Sequence, residues 1–160
     1  MKNAFITTNS AQTRKLGEIL TKELKGGEII CLSGELGSGK TTFAQGVLKG
    51  LGAKGPYTSP TFVVMKEYKV ESRKSFKVRS FPFPTSREIP QGQTLSVYHI
   101  DAYRVEPKDI LDLGWEEIIS GKNNIVIVEW AEKIKRIIPR NAIWIKFEHL
   151  KDDERKISVK

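Results

Sequence analysis

Residues Gly34 to Thr41 read Gly-Glu-Leu-Gly-Ser-Gly-Lys-Thr and fit the spacing G-x-x-x-x-G-K-S/T of a phosphate-binding loop, or P-loop. Each residue type has a physical reason. Glycines reach backbone angles closed to other residues, so successive N–H groups can point into one concavity. That concavity, with the start of the following helix, holds phosphate oxygens. Lys40 brings a mobile positive charge to the β and γ phosphates, and the Thr41 hydroxyl can ligate magnesium. The candidate nucleotide contacts are therefore Glu35, Leu36, Gly37, Ser38, Gly39, Lys40, Thr41 and Thr42. Chance produces the pattern on the order of once per hundred chains of this length at average glycine usage.

A magnesium–nucleotide site also needs carboxylates at strand ends, to hold the metal directly or through water or to orient an attacking water. Asp101 follows the alternating segment Leu95 to Ile100, and Glu129 follows the apolar run Ile125 to Val128. Both have this setting, and either can alternatively be a capping or salt-bridging carboxylate. His99 precedes Asp101 by two residues and so shares its side of a strand. A lone histidine is more often a packing or hydrogen-bonding residue than a catalyst. Trp130 can stack near the nucleotide or enter the core, and Thr13 with the Thr8 to Ser10 stretch can line a base pocket. No Asn-Lys-x-Asp segment of the guanine-binding kind occurs, which favours ATP over GTP.

The elements that must position these residues are legible in the patterning. Ser10 can cap a helix carrying Leu16, Ile19, Leu20 and Leu24, closed by Gly26-Gly27. Glu28 to Ser33 reads as a buried strand, and the helix after the glycine-rich turn carries Phe43, Val47, Leu48 and Leu51. Thr61 to Tyr68 looks like a strand. Pro107 suits the first turn of a helix carrying Ile110, Leu111, Ile118 and Ile119 and stopping near Gly121. Ile125 to Val128 is typical of a buried parallel strand. A short helix before Pro139 and strands over Ala142 to Phe147 and Lys156 to Val159 complete the chain. The expectation is a three-layer α/β domain over 1–160, its sheet mostly parallel with antiparallel edge strands.

The chain has 160 residues and a net charge of +8. That length suits one domain with a substantial core. No apolar run approaches the ~20 residues of a membrane helix, and the N-terminus lacks a secretory pattern. Cys31 is the only cysteine, which excludes an internal disulfide and fits a reducing cytoplasm. The positive charge fits solubility with weak polyanion attraction, or an RNA partner; no DNA partner is expected. Part of it lies in a basic insertion at about 71–94, where Arg73, Lys74, Lys77, Arg79 and Arg87 interleave with Phe76, Phe81 and Phe83 among prolines. This stretch reads as an exposed loop or hairpin tip.

Four motifs now stand in order: Gly34 to Thr42, Ser59-Pro60-Thr61-Phe62, His99-Ile100-Asp101-Ala102-Tyr103-Arg104, and Val128-Glu129-Trp130. Together they resemble the TsaE (YjeE) family of small bacterial P-loop ATPases needed for threonylcarbamoyl modification of adenosine in tRNA. The resemblance spans nearly the whole chain. It implies ATP or ADP with Mg2+ as ligands, the TsaB and TsaD proteins as partners, and tRNA in the larger complex. It implies that Thr61 lies on a switch-like loop near the γ phosphate and metal, and that Asp101 and Glu129 are the acidic residues of the ATPase site. On this reading Lys40, Thr61, Asp101 and Glu129 serve hydrolysis, and Thr41, Asp101 and Glu129 serve the metal. The sequence departs from the family pattern in one place: the long basic stretch stands where a tight hairpin is usual. Two other readings share the motif. One is a small-molecule kinase, with the basic loop as its lid; the other is an RNA-binding module stabilised by nucleotide.

Overall fold

The run Ile29-Ile30-Cys31-Leu32 forms the middle strand of the sheet because both of its faces are covered: all four residues are buried. The computed structural model describes residues 3–71, 76–77, 88–89 and 92–160. In chain order the elements are β1 (Asn3–Thr7), α1 (Ser10–Leu20), β2 (Ile29–Gly34), α2 (Lys40–Leu51), β3 (Met65–Glu71), β4 (Phe76–Lys77), β5 (Glu88–Ile89), β6 (Thr94–Asp101), α3 (Pro107–Asp112), α4 (Trp115–Ser120), β7 (Asn124–Glu129), β8 (Ile143–His149) and β9 (Arg155–Val159). Short 3-10 turns cover Thr21–Glu23 and Ala131–Ile137.

The main sheet has the order β1-β9-β8-β2-β7-β6-β3. Its centre, β8-β2-β7-β6, is parallel. The edges are antiparallel, β3 against β6 on one side and β9 against β8 and β1 on the other. Five strands thus point one way, and only β3 and β9 oppose them. Alternation along each strand sorts side chains to two faces. Ile30, Leu32, Ile125, Ile127 and Phe147 meet α1 and α2 through Leu16, Phe43, Val47 and Leu48. Ile29, Cys31, Val126 and Val128 meet Ile110, Trp115, Ile118 and Ile134 on the opposite side. The result is the expected three-layer α/β arrangement. Among the described residues no helix is long and apolar enough to cross a membrane.

Several elements differ in detail from the sequence pattern. The cap of α1 is Asn9, whose side-chain oxygen accepts the Gln12 N–H at 2.9 Å. The strand expected from Thr61 starts only at Met65. Before it, the Val63 N–H closes a turn on the Pro60 carbonyl at 2.9 Å, and Val64 takes φ 62. The single helix expected after Pro107 is two, because Gly114 at φ 81 interrupts it. The pattern gave no sign of β1, a five-residue edge strand with Phe5 and Ile6 exposed. Of the basic insertion, β4 and β5 pair antiparallel with each other. Arg73, Lys74, Arg79 and Arg87 lie outside the described residues, so the loop reading of this stretch is not addressed beyond that pair.

Candidate nucleotide site

The parallel topology carries three strand ends to one edge of the sheet: β2 ends at Gly34, β6 at Asp101 and β7 at Glu129. Between β2 and α2 the glycine-rich turn needs its glycines. Gly34 has φ 140, and a Cβ there would fall 2.3 Å from the Phe147 carbonyl oxygen on β8. The first helical residue of α2 is Lys40, and Gly39 before it provides no side-chain cap. The opening N–H groups of α2 are therefore without a side-chain acceptor at the positive end of the helix dipole, the arrangement that suits an anion.

Lys40 is 4% exposed, and its side chain folds back over the turn. Its Nζ donates to the carbonyl oxygens of Gly34 at 2.7 Å and Glu35 at 2.8 Å. It also lies 3.7 Å from the centre of the Trp130 ring. Trp130 reaches this position from a left-handed backbone, φ 58, directly after β7. Burial pulls the ammonium below the usual lysine pKa, while the carboxylates of Glu129, Glu132 and Asp101 push it back up.

The two carboxylates are neighbours in the ladder, Asp101 opposite Glu129, and both are buried. Buried carboxylates require hydrogen-bond donors, and each has a set. Asp101 accepts at Oδ2 from the Thr61 hydroxyl at 2.7 Å and from Ser59 at 3.3 Å, and at Oδ1 from the Tyr103 N–H at 2.9 Å. Ser59 and Thr61 are themselves 2.6 Å apart. Glu129 accepts from the Thr41 hydroxyl at 2.6 Å through Oε2 and contacts His99 Nε2 at 2.7 Å through Oε1. Thr41 at the start of α2 and Thr61 in the turn before β3 are thus each tied to one strand-end carboxylate.

These groups surround a cleft of about 500 Å³. Of the residues singled out in the sequence, Leu36, Gly37, Gly39, Lys40, Thr41, Thr42, Thr61, Asp101, Glu129 and Trp130 line it. Two do not. Glu35 contributes its backbone carbonyl to Lys40, and Ser38 is buried beneath the turn with Oγ 3.5 Å from Lys40 Nζ. Ser59, Tyr103 and Arg104, which stand in the motifs but were given no site role from the sequence, also line the cleft. Tyr103 packs on Trp130 with ring centres 4.8 Å apart, and Arg104 lies 5.8 Å from the Phe62 ring. The signal for the last two was their place directly after the strand end at Asp101.

The description "Threonylcarbamoyl adenosine biosynthesis protein TsaE" belongs to a family model that matches residues 7–157. The chain belongs to the TsaE family. It is 32% identical to the TsaE protein of Bacillus subtilis over 152 residues, covering 95% of this chain and 81% of that one. It is 31% identical to TsaE of Rickettsia felis over 157 residues, covering 97% of this chain and 78% of the relative. TsaE of Nostoc is 39% identical over a shorter stretch of 128 residues, 76% of this chain and 64% of the relative. Among solved structures, that of Bacillus subtilis YdiB superimposes with a TM-score of 0.71 at 28% identity, over 99% of this chain and 84% of YdiB. The TsaE match takes in all four motifs, from the glycine-rich turn to Glu129-Trp130.

Proposed function

We propose that this chain binds ATP with Mg2+ in the cleft and hydrolyses it in support of threonylcarbamoyladenosine formation in tRNA, in the cytoplasm, together with TsaB and TsaD proteins. The observation that carries the reading is the convergence of Lys40, Thr41, Asp101 and Glu129 on one cleft at the carboxyl ends of parallel strands, where ligands of open α/β sheets bind. Membership of a family named for this biosynthesis supplies the pathway.

The donor set suits magnesium. Thr41, Asp101 and Glu129 offer only hard oxygen atoms, the ligands this ion prefers. Among the described residues no group of three or more His, Cys, Asp and Glu side chains is placed to hold a metal ion by itself. Magnesium at nucleotide sites does not need one, since phosphates and water complete its shell. When bound, the ion neutralises charge on phosphate oxygens. The chain's own residues do the rest. Lys40 exchanges its two backbone carbonyls for phosphate oxygens, and the opening N–H groups of α2 hold the same phosphates. Thr61 presents its hydroxyl beside Asp101, so a shift of the turn before β3 alters the donors on that carboxylate. A carboxylate freed of those donors can orient an attacking water.

The test is ATP hydrolysis by the purified chain alone, with TsaB and TsaD proteins, and with tRNA added. The expected result is weak hydrolysis alone and stimulation by the partners. A chain that binds no ATP, or a phosphorylated small acceptor in place of free phosphate, would refute the reading.

A further inference from the structure

Glu129 is gripped from two sides, and only one grip belongs to the glycine-rich turn. The Thr41 hydroxyl, with a single proton to give, donates it to Oε2 at 2.6 Å, which leaves the oxygen lone pairs for another partner. That arrangement holds only while the carboxylate keeps its orientation. The other oxygen, Oε1, lies 2.7 Å from His99 Nε2, and both side chains are almost fully buried, 1% exposed for His99 and 2% for Glu129. The backbone of His99 is fixed on both sides, opposite Ile127 on β7 and Lys66 on β3.

We propose that His99 is a positioning residue: donating from Nε2, it fixes the Glu129 carboxylate so that the Thr41 oxygen faces a magnesium–nucleotide ligand. The inference rests on the nucleotide reading above. The choice of tautomer follows from burial. His99 Nδ1 is buried with no hydrogen-bond partner among the described residues. A tautomer protonated only there would leave a buried donor unsatisfied and would turn a lone pair toward Glu129 Oε1, so a proton belongs on Nε2. Outer contacts of this kind set the orientation of groups around a metal, and their loss typically costs on the order of 10–100-fold in affinity or activity. His99 does not itself line the cleft, so it acts through Glu129.

Two measurements test this. The chain has two histidines, so ring 15N spectra are simple to assign. At neutral pH the His99 ring is expected to carry a proton on Nε2; an Nε2 without a proton overturns the proposal. The second measurement is ATP binding by calorimetry with and without Mg2+, for the wild type, His99→Gln, His99→Asn and His99→Leu. The glutamine amide nitrogen reaches about as far as imidazole Nε2, whereas the asparagine amide is too short. Metal-free affinity is expected to be unchanged in all of them. The Mg2+-dependent gain should fall about tenfold in His99→Leu and His99→Asn and be largely restored in His99→Gln. Should His99→Leu fail to fold, the comparison of glutamine with asparagine and the ring spectrum carry the test. A full magnesium gain without a donor, or a glutamine variant as impaired as asparagine, refutes the positioning role alone. A wild type that binds no ATP refutes the nucleotide reading with it.

Discussion

Lys40 and Thr41 are adjacent, yet their removal should damage different parts of ATP binding. The Lys40 ammonium has two short carbonyl bonds, at 2.7 and 2.8 Å, and the Trp130 ring at 3.7 Å. Binding exchanges these neutral acceptors for charged phosphate oxygens, so a charge-assisted bond to a carbonyl becomes an ion pair with a second charge. With bonds to charged groups worth about 1.5–3 kcal/mol, the net gain on binding is about 2–3 kcal/mol. Lys40→Ala should therefore weaken ATP affinity roughly 30- to 150-fold, with or without Mg2+. Its effect on folding should be small, because the bonds lost are offset by no longer burying an ammonium. Thr41→Ala leaves that charge in place and removes the hydroxyl that donates to Glu129. Its metal-free affinity should match the wild type, and only the Mg2+-dependent gain should disappear. Calorimetry with ATP, with and without Mg2+, on both variants reads the difference. Wild-type affinity in both, or an equal metal-free loss in both, would refute the assignment of charge to one residue and metal to the other.

Asp101→Asn and Glu129→Gln keep size and remove charge, so hydrolysis in the presence of partners should fall by about 3 kcal/mol, roughly a hundredfold, with a smaller loss of binding; normal turnover in both would make these residues structural. Gly34→Ala places a Cβ 2.3 Å from the Phe147 carbonyl oxygen at φ 140, and strain plus displacement should cost about 3 kcal/mol or more. Thermal melting should show the loss as a midpoint lowered by roughly 10 °C. Burial pushes the Cys31 thiol up to about 12 from 9.0. Between these values the unfolded chain loses its proton first, so stability should fall as pH rises from 9.0 toward 12. Denaturant titrations over that window should show the slope removed in Cys31→Ala, and native Cys31 should resist alkylation at neutral pH. Replacing residues 73–93 by a short Gly-Ser turn should leave ATP binding intact while reducing tRNA- or partner-dependent activity and flattening its salt dependence; unchanged activity at every salt concentration would leave the basic residues without a role in binding.

Residue patterning was enough to read the glycine-rich turn, the buried strands β2 and β7, and the placing of Asp101 and Glu129 at strand ends. These features are local: φ values open only to glycine, continuous apolar runs and the polar residue that stops them are written in consecutive residues. The start of β3, the break at Gly114 and the edge strand β1 were not legible in the same way. The Val64 turn and the Gly114 interruption are single backbone choices inside longer apolar patterns, and β1 is held by ladder bonds to β9, with Phe5 and Ile6 exposed. The coupling of the candidate residues emerges from long-range strand pairing. Thr41 and Glu129 are 88 positions apart, and Thr61 and Asp101 are 40 apart. Parallel pairing of β6 with β7 and of β7 with β2 brings their ends to one edge, where each hydroxyl meets a carboxylate. The same pairing sets His99 against Glu129 across 30 positions. That contact depends on the register between two strands, so no local pattern around either residue could reveal it.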